Sequence, residues 1–258
     1  VPLDTNGTAN CYIATSLNTA YSFDATVMGN GRTTTNLRPQ PLRGAEARVL
    51  WETGTVRGAV IKDTEYKSGR IVFTTGTERG NAVIGLFDAS GNCVWSWHIW
   101  SVDYAPAASA QTYKSGAVFM DRNLGALNNT PMDVGNRGMF YEWGRKDPFT
   151  PSRSPYHADT DGNNVPAYNE PNTAIGDGTG TWVYNAQAAV LATPPANIPN
   201  SILNPMTYLQ SPYNGHADWY CTGTDPKATH PGLWGPEKTI FDPCPPGYKV
   251  PGPDLWGI

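Results

Sequence analysis

Short apolar runs separated by turn-forming residues dominate the first part of the chain. β-Branched and aromatic residues are concentrated in seven segments, which predict strands at residues 11–14, 20–27, 47–51, 56–61, 70–74, 81–87 and 93–102. Between the last two segments, the run Asp-Ala-Ser-Gly-Asn at residues 88–92 predicts a hairpin. Seven short strands in about 100 residues are typical of an antiparallel β-sandwich.

The last predicted strand alternates between two sets of side chains. Trp95, Trp97 and Ile99 are predicted to share one face, with His98 and Trp100 on the other. A lone histidine on a strand is usually a packed, hydrogen-bonded residue, so we interpret His98 as structural.

The composition changes after residue 112. The second part holds 19 of the 23 prolines and the whole formal net charge of −4. Long stretches rich in Pro, Asn, Gly and Thr separate its short apolar segments, and such loops are usually functional when they occur in a compact domain. We therefore predict two domains, a β-sandwich at residues 1–108 and a loop-rich domain at residues 113–258.

Residues 154–226 contain no lysine or arginine but carry six acidic residues. Within this stretch, Asp159, Asp161, Asn163 and Glu170 place oxygen donors at positions 1, 3, 5 and 12 of a twelve-residue window, a spacing typical of calcium loops. A structural calcium ion is one interpretation. The alternative is a solvated cluster of turn residues that holds no cofactor.

The four cysteines suggest two different roles. Cys221 and Cys244 lie 23 residues apart in a region rich in Pro and Gly, which predicts a disulfide in an exported protein. Two free thiols are the alternative. Cys11 and Cys93 are interpreted as small buried hydrophobic residues. No pair forms a CxxC motif, and the four histidines are too scattered for zinc-ligand spacing.

Several function classes are disfavoured by the sequence. The chain has no GxSxG, HExxH or P-loop motif, and nothing in the pattern places Glu142 and Asp147 across a substrate as a carboxylate pair. A net charge of −4 without a basic stripe argues against nucleic acid. No apolar run approaches the roughly 20 residues of a membrane-spanning helix. Low charge with many Trp and Tyr favours an extracellular protein, from which we expect an export signal to have been removed.

Four stretches of the second part resemble one known family. They are GAVFMDRNLGA at residues 116–126, GMFYEWGRKDPF at 138–149, LWG at 233–235 and KTIFDPCPPGYKVP at 238–251. Together they resemble the major paralogous domain of Fibrobacter succinogenes, which is common in surface proteins and fimbrial tip adhesins of Bacteroidales and similar in fold to C-type lectin-like domains. Strings at residues 9–13, 49–52, 80–84 and 95–100 resemble the β-sandwich domain that often precedes it.

The resemblance implies a secreted or cell-surface adhesion protein that is not an enzyme, at the outer membrane or near a fimbrial tip. Its second domain would be α+β and lectin-like, and its partner a glycan or a host surface ligand. Trp182, Tyr184, Tyr213 and Trp219 are candidates for stacking on sugar faces.

Glu170, Pro171 and Asn172 match the sugar-binding tripeptide of mannose-type C-type lectins, whose Glu and Asn oxygens bind calcium and sugar hydroxyls. Family domains continue well past the last string, whereas this chain ends at Ile258. Either the sequence is a fragment, or the last strands of the fold are absent or supplied by another chain. Loss of the last strand would leave an open sheet edge that accepts a strand from another pilin subunit. Two alternatives remain open: a formylglycine-generating-type enzyme or enzyme accessory on the same fold, and a structural shaft subunit of a surface fibre.

Overall fold

The computed structural model describes residues 1–34, 37–149, 175–176, 197–206, 209, 219 and 232–252. Within these ranges the protein is mostly β-sheet, with two short α-helices, α1 (Pro106–Ser109) and α2 (Asn197–Leu203), and a 3-10 helix (Val134–Asn136). The strands are β1 (Cys11–Ala14), β2 (Ala20–Asp24), β3 (Glu46–Glu52), β4 (Ile61–Lys67), β5 (Arg70–Thr75), β6 (Gly80–Phe87), β7 (Cys93–Ser101), β8 (Gln111–Thr112), β9 (Val118–Phe119) and β10 (Ile175–Gly176). None of the helices in these ranges has the length and hydropathy needed to cross a membrane.

The strands form three sheets. The largest has the order β1-β7-β6-β3-β10, the second has the order β2-β5-β4, and β8 and β9 form a two-stranded ribbon. Neighbouring strands are antiparallel except β1 and β7, which are parallel. The expectation of a purely antiparallel arrangement is thus wrong at this edge. The chain passes from β1 to β2 in the other sheet, so no hairpin imposes an antiparallel direction on β1 and β7.

The two larger sheets bury side chains in one shared hydrophobic core. Phe23 of β2 lies in an aromatic cluster, with its ring centroid 4.6 Å from Tyr12 of β1 and 5.2 Å from Trp97 of β7. The predicted alternation along β7 is confirmed, since Trp97 belongs to this core and Trp100 to a separate cluster. Burial of each such aromatic side chain stabilises the fold by about 2–3 kcal/mol.

Two hairpins form where the sequence supplies suitable turn residues. Ser68 and Gly69 both have positive φ, 51° and 80°, and connect β4 to β5 in a two-residue turn. This is the geometry of the primed turns, whose twist matches that of the flanking strands. In the turn between β6 and β7, one carboxylate oxygen of Asp88 accepts hydrogen bonds from the backbone N–H groups of Ser90 and Asn92, each at 2.9 Å.

Six of the seven predicted strands are present, with bounds that differ by at most three residues. The strand predicted at residues 56–61 is wrong, because β4 begins only at Ile61. The segment before it forms a loop around the buried carboxylate of Glu52, which accepts the N–H groups of Gly58, Val60 and Ile61. These N–H groups are therefore not available to pair with a neighbouring strand.

The second part of the chain packs against the first. β10 pairs antiparallel with the end of β3, and the Phe241 ring centroid lies 5.7 Å from that of Trp95. Buried residues from both parts belong to the same core. These contacts cross the predicted boundary, and the division into domains at residues 1–108 and 113–258 stays a prediction.

Candidate functional site

The face of β7 that points away from the main core carries polar side chains. Ser96, His98 and Trp100 alternate with the core residues and are almost completely buried. Each of the three side chains has a hydrogen-bond partner among the residues that follow the β-rich part; the Trp100 indole N–H, for example, donates to the carbonyl of Ala126 at 3.1 Å. This covered face of β7 is the candidate functional site.

His98 is the centre of a buried hydrogen-bond chain. Its Nε2 lies 2.9 Å from Asn81 Oδ1, and its Nδ1 lies 3.2 Å from the Tyr141 hydroxyl. The Asn81 amide N–H donates to the carbonyl of Gly125 at 2.9 Å, so the amide oxygen faces the histidine and accepts a hydrogen bond from Nε2–H. The network thereby assigns the neutral imidazole with Nδ1 as an acceptor from Tyr141. Burial lowers the pKa of His98 to about 3, so this neutral form persists at physiological pH.

Gly125 allows this chain to form. Its φ is +81°, and an added Cβ would lie 2.5 Å from Met139 Cγ and 2.9 Å from Asn81 Oδ1. Any other residue would be strained in its backbone and would push against the asparagine that orients His98.

A lysine and an aspartate are buried together beside Ser96. The Lys146 ammonium donates to both carboxylate oxygens of Asp147, at 2.7 and 2.8 Å, and to the carbonyl of Ser96 at 3.2 Å. The Ser96 hydroxyl donates to Asp147 Oδ1 at 2.6 Å. Lys146 also lies 4.6 Å from the centroid of the Trp95 ring, a cation–π contact. Burial lowers the pKa of the Lys146 ammonium, and the charge of Asp147 opposes that shift.

A second buried pair lies next to the first. Arg145 donates to the carboxylate of Glu142 and, through Nη2, to the carbonyl of Asn204 at 2.9 Å. The other oxygen of Glu142 accepts the backbone N–H of Leu209 at 2.9 Å. Burial raises the pKa of the Glu142 carboxyl, and the charge of Arg145 opposes that shift. We call Glu142, Arg145, Lys146 and Asp147 the charge cluster.

The charge cluster has a clear physical consequence. A buried ion pair adds little net stability over apolar packing, but loss of one partner costs about 3–5 kcal/mol because a charge is left uncompensated. Within the cluster, Lys146 and Asp147 attach residues 138–149 to β7 through their hydrogen bonds to Ser96. The carboxylates of Glu142 and Asp147 both lie in the protein interior, where each is hydrogen-bonded to a cationic side chain.

Residues 238–251, which we call the last motif string, are cross-linked by the hydrogen bonds of one lysine. The Lys238 ammonium donates to Asp242 Oδ1 and to the carbonyls of Cys244 and Tyr248, each at 2.8 Å. The Asn10 amide, just before β1, donates to the carbonyls of Ile240 and Asp242, at 2.7 and 2.9 Å. Lys238 thus shapes the loop, and Asn10 joins it to the first strand.

One tryptophan next to the charge cluster remains open to solvent. Trp143 is 41% exposed, and its ring packs edge-to-face on that of Trp234, with centroids 5.0 Å apart. The Trp234 indole N–H donates to the carbonyl of Phe241 at 3.0 Å, which fixes that ring. The carbonyl of Trp143 accepts the indole N–H of Trp219 at 2.9 Å. Nearby in sequence, Phe140 is 60% exposed.

Among the candidate sugar-stacking residues, only Trp219 lies in the described ranges. It is 4% exposed and supports the Trp143 backbone from the interior, so this ring does not face solvent. The other candidates lie outside the described residues, as do the proposed calcium ligands and the lectin-like tripeptide: Trp182, Tyr184, Tyr213, Asp159, Asp161, Asn163, Glu170 and Asn172. The part of the chain that is described contains no group of three or more His, Cys, Asp or Glu side chains suited to a metal ion.

The predicted disulfide is only half described. Cys244 is a buried free thiol, as are Cys11 and Cys93, whereas Cys221 lies outside the described residues. Its pairing with Cys244 stays a prediction.

Sequence reasoning missed both Trp143 and the charge cluster as features of one site. A tryptophan in a loop has the same local pattern whether it is buried or exposed, so no periodic signal identifies Trp143. The adjacent run Gly-Arg-Lys-Asp at residues 144–147 looks like a solvated charged turn.

The comparisons with known proteins add no further guidance. No protein family, curated protein or solved structure matches the chain. The site is therefore interpreted from its own geometry.

Proposed function

We propose that this chain is an exported adhesion protein of the cell surface, either a fimbrial tip subunit or a glycan-binding module. In this proposal, residues 1–108 form a β-sandwich that presents a lectin-like domain at residues 113–258. The resemblance of residues 138–149 and 238–251 to surface-protein domains supports this proposal. The charge cluster and Lys238 also support it. Their ionic groups bind other parts of the protein, so they have a structural role and not a catalytic one in this proposal.

The observation that carries the proposal is the exposed ring of Trp143 on a rigid support. Its ring rests on Trp234, which is itself fixed by a hydrogen bond. The next residues after Gly144 belong to the buried charge cluster, so the loop cannot easily move. A flat aromatic surface held in this way suits the C–H face of a sugar ring, which packs against π-systems. Binding then costs little conformational entropy in the protein.

Strand addition from another pilin subunit is part of the proposal, and the edge strands β4 and β1 differ in how well they suit it. β4 exposes Lys62, Asp63, Glu65 and Lys67, and charges on an edge disfavour pairing with another chain. β1 pairs only with β7 in the described part, and a groove of about 230 Å³ lined by Tyr12, Ile13 and three prolines lies beside it. We therefore place strand addition at the β1 edge.

A glycan array tests the proposed function. The full chain is applied once with calcium and once with a chelator. Binding in both arms is expected if Trp143 is the main contact, and binding in the calcium arm alone would instead assign recognition to the acidic segment with Asp159 and Glu170. The absence of binding in both arms would contradict the glycan-binding proposal and favour a shaft subunit.

A further inference from the structure

Two buried cysteines lie at the junction of the first strand and the last motif string. Cys11 is in β1 and is completely buried, and Cys244 is 4% exposed. Both are free thiols in this structure. They are 233 positions apart in the sequence, so no local pattern connects them.

Hydrogen bonds bring the two segments together at this point. Asn10 directly precedes Cys11, and its amide donates to the carbonyl of Asp242 at 2.9 Å. The carboxylate of Asp242 in turn accepts the backbone N–H of Cys244 at 2.9 Å. Each cysteine is thus within two residues of the same contact between segments.

A third group, the Tyr141 phenol, is connected to the same part of β1 through His98. Cys11 is the cross-strand partner of His98 in the parallel pairing of β1 with β7, and the Tyr141 hydroxyl bonds to that histidine. Burial, followed by the charges of Cys11 and Cys244, raises the pKa of the Tyr141 phenol. Burial and neighbouring charges, including that of Cys11, likewise raise the pKa of the Cys244 thiol. His98 thus links the phenol to β1 at Cys11, and both thiols are buried where β1 meets residues 240–244.

We propose that Cys11 and Cys244 form a disulfide in the exported protein. This inference rests on the proposed function only for its oxidising compartment. The two thiols lose two protons and two electrons as the S–S bond forms, and a disulfide oxidant such as oxidised glutathione is reduced to two thiols. The bond joins β1 covalently to the last motif string and replaces the predicted pairing of Cys221 with Cys244.

The remaining described cysteine is not part of this pair. Cys93 lies at the opposite end of β7, where its thiol donates to the carbonyl of Trp95 at 3.4 Å. Burial raises the pKa of Cys93 to about 12, and its place at the start of β7, away from the junction, makes it a suitable control. The high pKa values of Cys11 and Cys244 also mean that their disulfide forms during folding, before burial suppresses the thiolate.

Peptide mapping tests the proposal directly, because trypsin places every cysteine on its own peptide. Cys11 falls in residues 1–32, Cys93 in 80–114, Cys221 in 154–227 and Cys244 in 239–249. The full chain is exported to a bacterial periplasm, purified, alkylated in denaturant without reductant and digested. A linked pair of peptides 1–32 and 239–249 is expected. A link between 154–227 and 239–249, or alkylated Cys11 and Cys244, would overturn the proposal.

Thermal unfolding with and without dithiothreitol provides an independent readout. A disulfide that closes the long loop between Cys11 and Cys244 should raise the melting temperature by about 10 °C. Reductant should abolish this increase in the wild type and in Cys93→Ser. Cys11→Ser should melt at one temperature in both conditions. Equal melting of the wild type with and without reductant would count against the disulfide. Neither readout involves a glycan, so failure here is distinct from failure of the adhesion proposal.

Discussion

Acidification should destabilise this fold through His98, because the histidine is buried in its neutral form. Burial lowers its pKa from 6.5 to about 3. Between these two values the unfolded chain binds a proton that the folded protein does not bind. The contribution of His98 to stability is therefore present above the pKa of the unfolded state and is lost as the pH falls below it.

The magnitude follows from the two pKa values. Between about pH 7 and about pH 5, the contribution of His98 to the free energy of unfolding decreases by about 2 kcal/mol. Glu142 acts in the opposite direction, because burial raises the pKa of its carboxyl group. A comparison of wild type with His98→Gln at each pH removes this opposing contribution, since Glu142 is present in both proteins.

Urea unfolding followed by tryptophan fluorescence measures the effect. At about pH 7, His98→Gln should be less stable than the wild type by about 1–3 kcal/mol, because hydrogen bonds to Asn81 and Tyr141 are lost or weakened. That deficit should shrink by about 2 kcal/mol at about pH 5. The matched control, Tyr141→Phe, keeps the imidazole, so its deficit should not change with pH. An equal deficit for His98→Gln at both pH values would refute the buried neutral histidine.

Two further substitutions test the packing of the site. Asp147→Asn should cost about 3–5 kcal/mol in urea unfolding, because the buried ammonium of Lys146 loses its counter-charge. The double variant Lys146→Met with Asp147→Leu should recover most of that loss, and no recovery would contradict a purely structural pair. Gly125→Ala should cost more than Gly116→Ala, which has a similar φ of +83° but no atom within 4 Å of an added Cβ. Gly116→Ala should lower the free energy of unfolding by only about 1–2 kcal/mol, the cost of a left-handed backbone conformation for alanine. Equal losses for the two variants would mean that the space around Gly125 is unimportant.

The β-rich first part could be predicted because local pattern determines it. The alternation in β7 reflects its position between the main core on one face and the buried polar groups on the other, and the turns at Gly69 and at residues 88–92 are encoded by residues that permit them. The failure at residues 56–61 has a specific reason. The carboxylate of Glu52, which organises that loop, lies outside it, while β4 itself is a polar edge strand with little apolar alternation.

The charge cluster could not be predicted in the same way. Its partners are distant in sequence: Ser96 lies 51 positions from Asp147, and Leu209 lies 67 positions from Glu142. Charged residues are almost never fully buried unless they are paired, and the pairing appears only when the chain is folded. Trp143 is exposed for a related reason, since its neighbours Glu142 and Arg145 are directed into the interior.

The most direct test of the central proposal is the affinity of a glycan identified on the array for three proteins, measured by titration calorimetry. Trp143→Ala should bind at least about tenfold more weakly than the wild type, the loss expected for one stacked aromatic ring. Tyr113→Ala is the matched control, because Tyr113 is 57% exposed and also packs edge-to-face on an aromatic ring. It should bind like the wild type. Equal affinities for all three proteins would contradict sugar recognition by Trp143.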